Sequence, residues 1–248
     1  KKNCKMSSLH QDNLKHKEIP VMMYHRVVEK ELLNSRYNIF ATQALLERQI
    51  KSFLADGYQL VTFKDLKNKA IERPMILTFD DGYLDNYQNL FPLLKKYNVK
   101  AVIFVLTDSQ YNHWDVSKGE IKAELMSNDQ LLELSNSGLV EIASHGMTHQ
   151  QLPALSDGDL KIELECSKRK IEEIIHNEVI SFSYPWGIHG QREKQAVKDA
   201  GYLFGIATDD GGVYFTDDLF AITRVNMNAT PLWIRLLRRL KWELTRKL

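Results

Sequence analysis

The chain has 248 residues, a length that favours one large domain over two. Hydrophobic residues are 44% and charged residues 26% of it, which excludes general disorder. Thirty-three Lys and Arg against thirty-two Asp and Glu leave a formal charge of +1, so no global field draws the protein to nucleic acid.

Residues 1–18 are polar and lysine-rich and read as an N-terminal arm. The chain starts at Lys1 and not at Met, so the absence of a visible signal peptide leaves open one removed ahead of Lys1. A repeating pattern follows: a short apolar run, a turn, an amphipathic stretch. The runs are Pro20–Tyr24, Gln59–Phe63, Met75–Phe79, Ala101–Leu106, Val140–Ala143, Ile180–Tyr184, Leu203–Ala207 and Ile222–Val225. Several are apolar at nearly every position, as expected of parallel strands covered on both faces. Between them, Thr42 is placed to cap a helix carrying Leu45, Leu46, Ile50, Phe53 and Leu54, with Gly57 as its stop. Ser127 and Gln130 have capping-box spacing ahead of Leu131, Leu132 and Leu134. Ser156 is placed to cap a long charged helix reaching about His176. Residues 107–126, with Tyr111, His113 and Trp114, show no clear periodicity and read as a loop over a site. Strands alternating with helices predict a parallel α/β fold, and eight runs predict barrel-like closure. No apolar run reaches the roughly 20 residues that span a bilayer. Cys4 and Cys166 form no disulfide framework and leave the redox compartment open.

Four strand ends carry chemistry. Thr78-Phe79-Asp80-Asp81-Gly82 closes an apolar run, where barrel loops converge on one cavity. Two adjacent carboxylates there cannot be equivalent: one suits a cation, the other a base held by a positive neighbour. The plain alternative is an ordinary Asp-Asp-Gly turn. Ser144-His145-Gly146-Met147-Thr148-His149 follows another run, and its i, i+4 histidines would aim two imidazoles at one ion from a single helical turn. Alone the pair reads equally as surface histidines. Joined to a strand-end carboxylate, it supplies one acidic and two imidazole ligands, with positions left open for water and substrate. At the third end, Phe182-Ser183-Tyr184-Pro185-Trp186-Gly187, an aromatic beside a Pro-Gly turn either walls a sugar pocket or merely packs. His25, in Met22–Val27, sits at the end of the first strand and is aimed at the same face.

With Thr78–Gly82, Ser144–His149 and Tyr184–Gly187 in this order, the sequence resembles the NodB-homology polysaccharide deacetylases of carbohydrate esterase family 4, over roughly residues 19–228. The resemblance implies a distorted (β/α) barrel of seven or eight strands. It implies Asp80 as base, and Asp81, His145 and His149 as ligands of Zn²⁺, with Co²⁺ or Ni²⁺ as substitutes. It also implies an acetylated polysaccharide as substrate, the Trp186 backbone N–H as oxyanion donor, and Tyr184, Trp186 and Trp114 as sugar contacts. Two departures stand out. The family's third motif opens with Arg where this chain has Ser183, and no histidine follows His189 to act as general acid. These absences, with Pro20–Val27 and Ile222-Thr223-Arg224-Val225, are similar to the branch acting on poly-β-1,6-N-acetylglucosamine in biofilm matrices. Arg224 is then the candidate partner of Asp80. His25 is one candidate acid, and Asp80 returning its proton is the other.

The expected organisation is an arm over 1–18, a deacetylase domain over 19–229 and a helix over 230–248. That last segment has Trp233, Leu236, Leu237, Leu240, Leu244 and Leu248 on one face and six basic side chains elsewhere. It reads either as a closing helix or, over 231–248, as a peripheral contact with an anionic membrane. The family branch favours an extracytoplasmic setting; oligomeric state is left open. Alternatives are an O-acetyl esterase on a surface glycan and a catalytically silent carbohydrate-binding protein, although a binder has no use for Asp80.

Overall fold

The computed structural model describes residues 19–68, 71–208 and 218–228. The predicted arm and the helix over 230–248 lie outside these residues.

All eight predicted runs meet in one parallel sheet. Its strands are β1 (Val21–Tyr24), β4 (Gln59–Val61), β5 (Pro74–Phe79), β6 (Ala101–Val105), β7 (Val140–Ser144), β8 (Ser181–Ser183), β9 (Phe204–Ile206) and β10 (Val225–Asn226). The order is β10-β1-β5-β6-β7-β8-β9, and β4 pairs the first half of β5. The two ends of this path are joined by residues 219–227. Gly205 N donates to Leu219 O, Ala207 N to Ile222 O and Met227 N to Met23 O, at 2.8–2.9 Å. Ile206 and Ile222 bridge in parallel, so the sheet curls into the distorted barrel the sequence predicts. A second sheet escaped the sequence reading: β2 (Arg26–Val28) and β3 (Phe40–Thr42) pair beside the rim.

The strands are buried because helices cover their outer face. The first is α1 (Gln43–Ala55), whose first turn is held by Thr42 accepting from Leu45 N at 3.2 Å. In chain order follow α2 (Phe63–Asn68), α3 (Phe91–Tyr97), α4 (His113–Val116), α5 (Asn128–Asn136), α6 (Asp157–Ile175) and α7 (Gln191–Asp199). The Ser127–Gln130 capping box is formed, and Ser156 caps α6, which ends at His176. Residues 107–126 are less irregular than predicted: they hold α4 and an antiparallel bridge between Tyr111 and Glu124.

Two apolar clusters show the alternation of each strand. Met75, Leu77 and Phe79 pack outward with Leu46, Leu94 and Leu164. Ile76, Val102, Phe104, Ala143, Phe204, Ile206 and Ile222 fill the barrel. Side chains of alternate residues share a face, so the positions following Ile76, Ala143 and Ile222 by two (Thr78, His145 and Arg224) also point inward, as does Asp80. Polar residues thus cap an apolar interior at one end of the barrel.

Candidate functional site

Asp80 tops the inward column of β5, and its backbone N–H donates to Tyr24 O at 3.0 Å. Its carboxylate receives two parallel bonds from Arg224, Nη1 to Oδ1 and Nη2 to Oδ2, both 2.7 Å. The remaining three N–H groups of Arg224 reach Ala207 O at 2.8 Å, Thr78 Oγ1 at 3.1 Å and Ser183 Oγ at 3.1 Å. All five donors are therefore used, and the guanidinium is completely buried. Ser183, where the family's arginine is absent, accepts from the arginine that arrives from the other side of the barrel. Burial alone would raise the Asp80 carboxyl; Arg224, by charge and by hydrogen bonding, outweighs it and holds the group below its ordinary value.

Asp81 turns the chain with φ 74°. Its Oδ1 lies 3.4 Å from His145 Nε2 and 3.4 Å from His149 Nε2. The three side chains are buried, with donor atoms all within 4.8 Å of one another. His145 Nδ1 is 2.8 Å from Ser183 O, which assigns the proton to Nδ1 and leaves the Nε2 lone pair free to ligate. Asp81 Oδ1 is buried and makes no hydrogen bond by the usual criteria. Two donor atoms bound to one tetrahedral ion at about 2.0–2.1 Å stand about 3.3 Å apart. The donor set therefore fits a divalent ion of the zinc type, and the orphaned Oδ1 is what such an ion would satisfy.

The histidine pair does not lie on the predicted helical turn. Residues 145–150 form a loop with Gly146 at φ 88° and His149 at φ 60°, conformations that no helix contains. The imidazoles converge because the loop folds back on itself. Trp114 stacks on the His149 ring at 4.5 Å and 13°, and Trp186 meets the same ring edge-on at 4.9 Å.

These groups share a cavity of about 280 Å³ with His25, Tyr37, Ile39, Asp115, Tyr184 and Thr208. His25 is half-buried there, with Nδ1 3.4 Å from Asn228 Nδ2. Burial lowers its pKa, against the opposing pull of Asp81 and Asp80. Tyr184 is fully buried and its hydroxyl donates to Phe220 O at 2.9 Å, so the cavity receives its ring and not a free hydroxyl. Trp186 has φ 62° and is followed by Gly187 at 71°; its Nε1 donates to His149 O at 3.3 Å. Asp115, from α4, went unnoticed in the sequence, as did Tyr37 and Ile39. Burial, then the charge of Asp81, raises the Asp115 carboxyl to about 6. Glu120 ties the rim together, accepting from Ser35 Oγ at 3.1 Å and Tyr37 N at 2.9 Å.

The family model for polysaccharide deacetylases matches residues 67–205. The chain is 28% identical over 218 residues to YxkH of Bacillus subtilis (strain 168), named as a candidate polysaccharide deacetylase, covering 85% of this chain and 72% of that protein. It is 24% identical over 243 residues to a poly-β-1,6-N-acetyl-D-glucosamine N-deacetylase of Staphylococcus aureus, covering 86% and 80%. A polysaccharide deacetylase from Bacillus cereus has a crystal structure similar to this fold, with TM-score 0.73 and 26% identity, covering 88% of this chain and 67% of that one.

Proposed function

Because the chain belongs to the polysaccharide deacetylase family, we propose that it is a metal-dependent hydrolase removing N-acetyl groups from an N-acetylglucosamine polymer of the poly-β-1,6 kind. The observation that carries this reading is one cavity floor with two carboxylates held in different ways. Asp80 is locked to a buried arginine, whereas Asp81 faces two imidazoles with an unsatisfied oxygen. The Staphylococcus aureus relative supports the polymer.

An ion held by Asp81, His145 and His149, with Zn²⁺ the best match and Co²⁺ or Ni²⁺ able to replace it, supplies Lewis-acid polarisation of carbonyl oxygen and water. The protein's own groups do the rest. Asp80 takes the proton of the attacking water on a carboxylate oxygen, and Arg224 keeps that carboxylate ionised and correctly turned. The Trp186 backbone N–H serves the oxyanion as the acetyl carbon becomes tetrahedral. As the C–N bond breaks, the departing sugar amine takes up a proton, either from a protonated His25 or from Asp80 returning the one it took from water, leaving acetate and a glucosamine unit. Trp114 and Trp186 wall the sugar, and their bulk excludes water from the His149 side. Such an enzyme works outside the cytoplasm. There the basic amphipathic segment 231–248 would hold it at an anionic membrane, with each basic contact adding on the order of 1 kcal/mol. Liposome co-sedimentation should then be stronger for the full chain than for a version ending at Ala229; equal sedimentation counts against the tail's role.

The test of function is acetate release from defined N- and O-acetylated oligosaccharides, with and without chelator. N-acetylated β-1,6 oligomers should release acetate, chelator should stop it and Zn²⁺ should restore it. Release from O-acetylated sugars alone would overturn the reading. His25→Ala should lower kcat more than it raises KM; an unchanged kcat would remove His25 as the acid.

A further inference from the structure

We infer that Glu163 is a positioning residue for the ion site: it fixes the loop 145–149 in the one shape that aims both imidazoles at Asp81. The inference rests on the ion reading above. Glu163 lies on α6, outside the cavity lining, and is 6% exposed. Its Oε1 accepts from Met147 N at 2.7 Å and Thr148 N at 2.9 Å, two of the three amides between the histidines, while the third, Gly146 N, donates to Ser144 Oγ at 3.2 Å. Thr148 Oγ1 is 3.4 Å from the same oxygen. A carboxylate accepting backbone N–H groups makes a strong, charge-assisted contact.

The loop needs such an anchor. It belongs to no helix or strand, and Gly146 and His149 both sit at positive φ. Its edges are pinned by His145 N to Val105 O at 2.9 Å and by Asp108 N to Met147 O at 3.0 Å. Neither bond restrains the amides of Met147 and Thr148. Glu163 also touches the turn itself: a Cβ added to Gly146 would stand 2.9 Å from Glu163 Oε1. The carboxylate is thus pressed against the residue between the first histidine and the two amides it binds. Removing the acceptor leaves two inward N–H groups without a partner, and the loop relaxes to satisfy them elsewhere. His149, whose Nδ1 makes no hydrogen bond of its own, then loses its aim.

The experiment measures Zn²⁺ dissociation from the full chain by competition with a chromophoric chelator, alongside thermal unfolding of the metal-free protein. Glu163→Gln keeps a carbonyl oxygen at the same reach and should bind Zn²⁺ much as the parent does. Glu163→Leu removes the acceptor and Glu163→Asp withdraws it by one methylene; both should bind about 10–100-fold more weakly, the usual effect of losing an outer-shell partner. Rescue by Gln separates positioning from general stability, because a structural role would track unfolding temperature instead. If Glu163→Leu does not fold, Glu163→Asp decides the matter. Parent-like Zn²⁺ affinity in the folded Leu or Asp variant would overturn the inference while leaving the ion site intact. Absence of Zn²⁺ binding by the parent would overturn the ion reading and this inference with it.

Discussion

A buried guanidinium is tolerated only when its donors are satisfied and its charge is answered, and Arg224 meets both conditions through Asp80, Thr78, Ser183 and Ala207. Breaking one side is costly: Arg224→Leu leaves Asp80 buried without its cation and should destabilise the fold by about 3–5 kcal/mol in denaturant unfolding. Adding Asp80→Asn should recover part of that loss, since the stranded charge is gone; no recovery would mean that packing, and not charge, explains it. Asp115 behaves oppositely. With its carboxyl raised to about 6 from 3.8, the folded state holds more protons than the unfolded state between those pH values. Stability therefore falls as pH rises through that window and stays lower above it. Asp115→Asn should make the chelator-treated protein more stable at pH 7.5 by about 1–2 kcal/mol, part of the full shift being screened by solvent, with most of the gain gone by pH 4. A pH-independent difference would contradict the raised carboxyl. Arg224 was legible only through the family resemblance, where Ile222-Thr223-Arg224-Val225 answers the arginine missing at Ser183; that it follows the inward Ile222 by two residues is what the structure adds. Glu163 carried a fainter signal, a charge on the Leu160, Leu164, Ser167, Ile171 stripe of α6, which gains meaning only when the loop is seen against it.

At the scale of elements, caps and apolar runs were readable because each is a local property. Thr42, Ser127 and Ser156 all cap the helices they announce. The β2–β3 pair was not, since three-residue strands fall below any periodic signal. The histidine loop misled for a different reason: i, i+4 spacing is compatible with a helix, but Gly146 and His149 adopt positive φ, which a helix excludes and spacing does not reveal. The Pro185–Gly187 turn is held as tightly. A Cβ on Gly187, at φ 71°, would stand 2.0 Å from Thr208 Oγ1 and 2.5 Å from Thr208 Cγ2. Gly187→Ala should cost about 2–4 kcal/mol, and the displaced Trp186 and Thr208 should raise KM. Unfolding and steady-state kinetics together check this, and parent-like values in both would show that the turn yields freely.

For the whole molecule, eight runs in one parallel sheet made the barrel predictable, and barrel geometry made it predictable that strand ends would share a cavity. The closure of the ring by residues 219–227 was less visible, because a two-residue strand and a single bridge carry no pattern. That closure is what brings Arg224 to Asp80, so fold and site depend on the same segment. The central claim is the division of labour between adjacent carboxylates, Asp80 for the proton and Asp81 for the ion. It is tested most directly by measuring Zn²⁺ content and acetate release from a β-1,6-linked N-acetylglucosamine oligomer for Asp80→Asn and Asp81→Asn side by side. Asp80→Asn should retain Zn²⁺ and lose about 10²–10⁴-fold in turnover, whereas Asp81→Asn should lose the ion and the activity together. Loss of Zn²⁺ from Asp80→Asn, or undiminished turnover by it, would contradict the account.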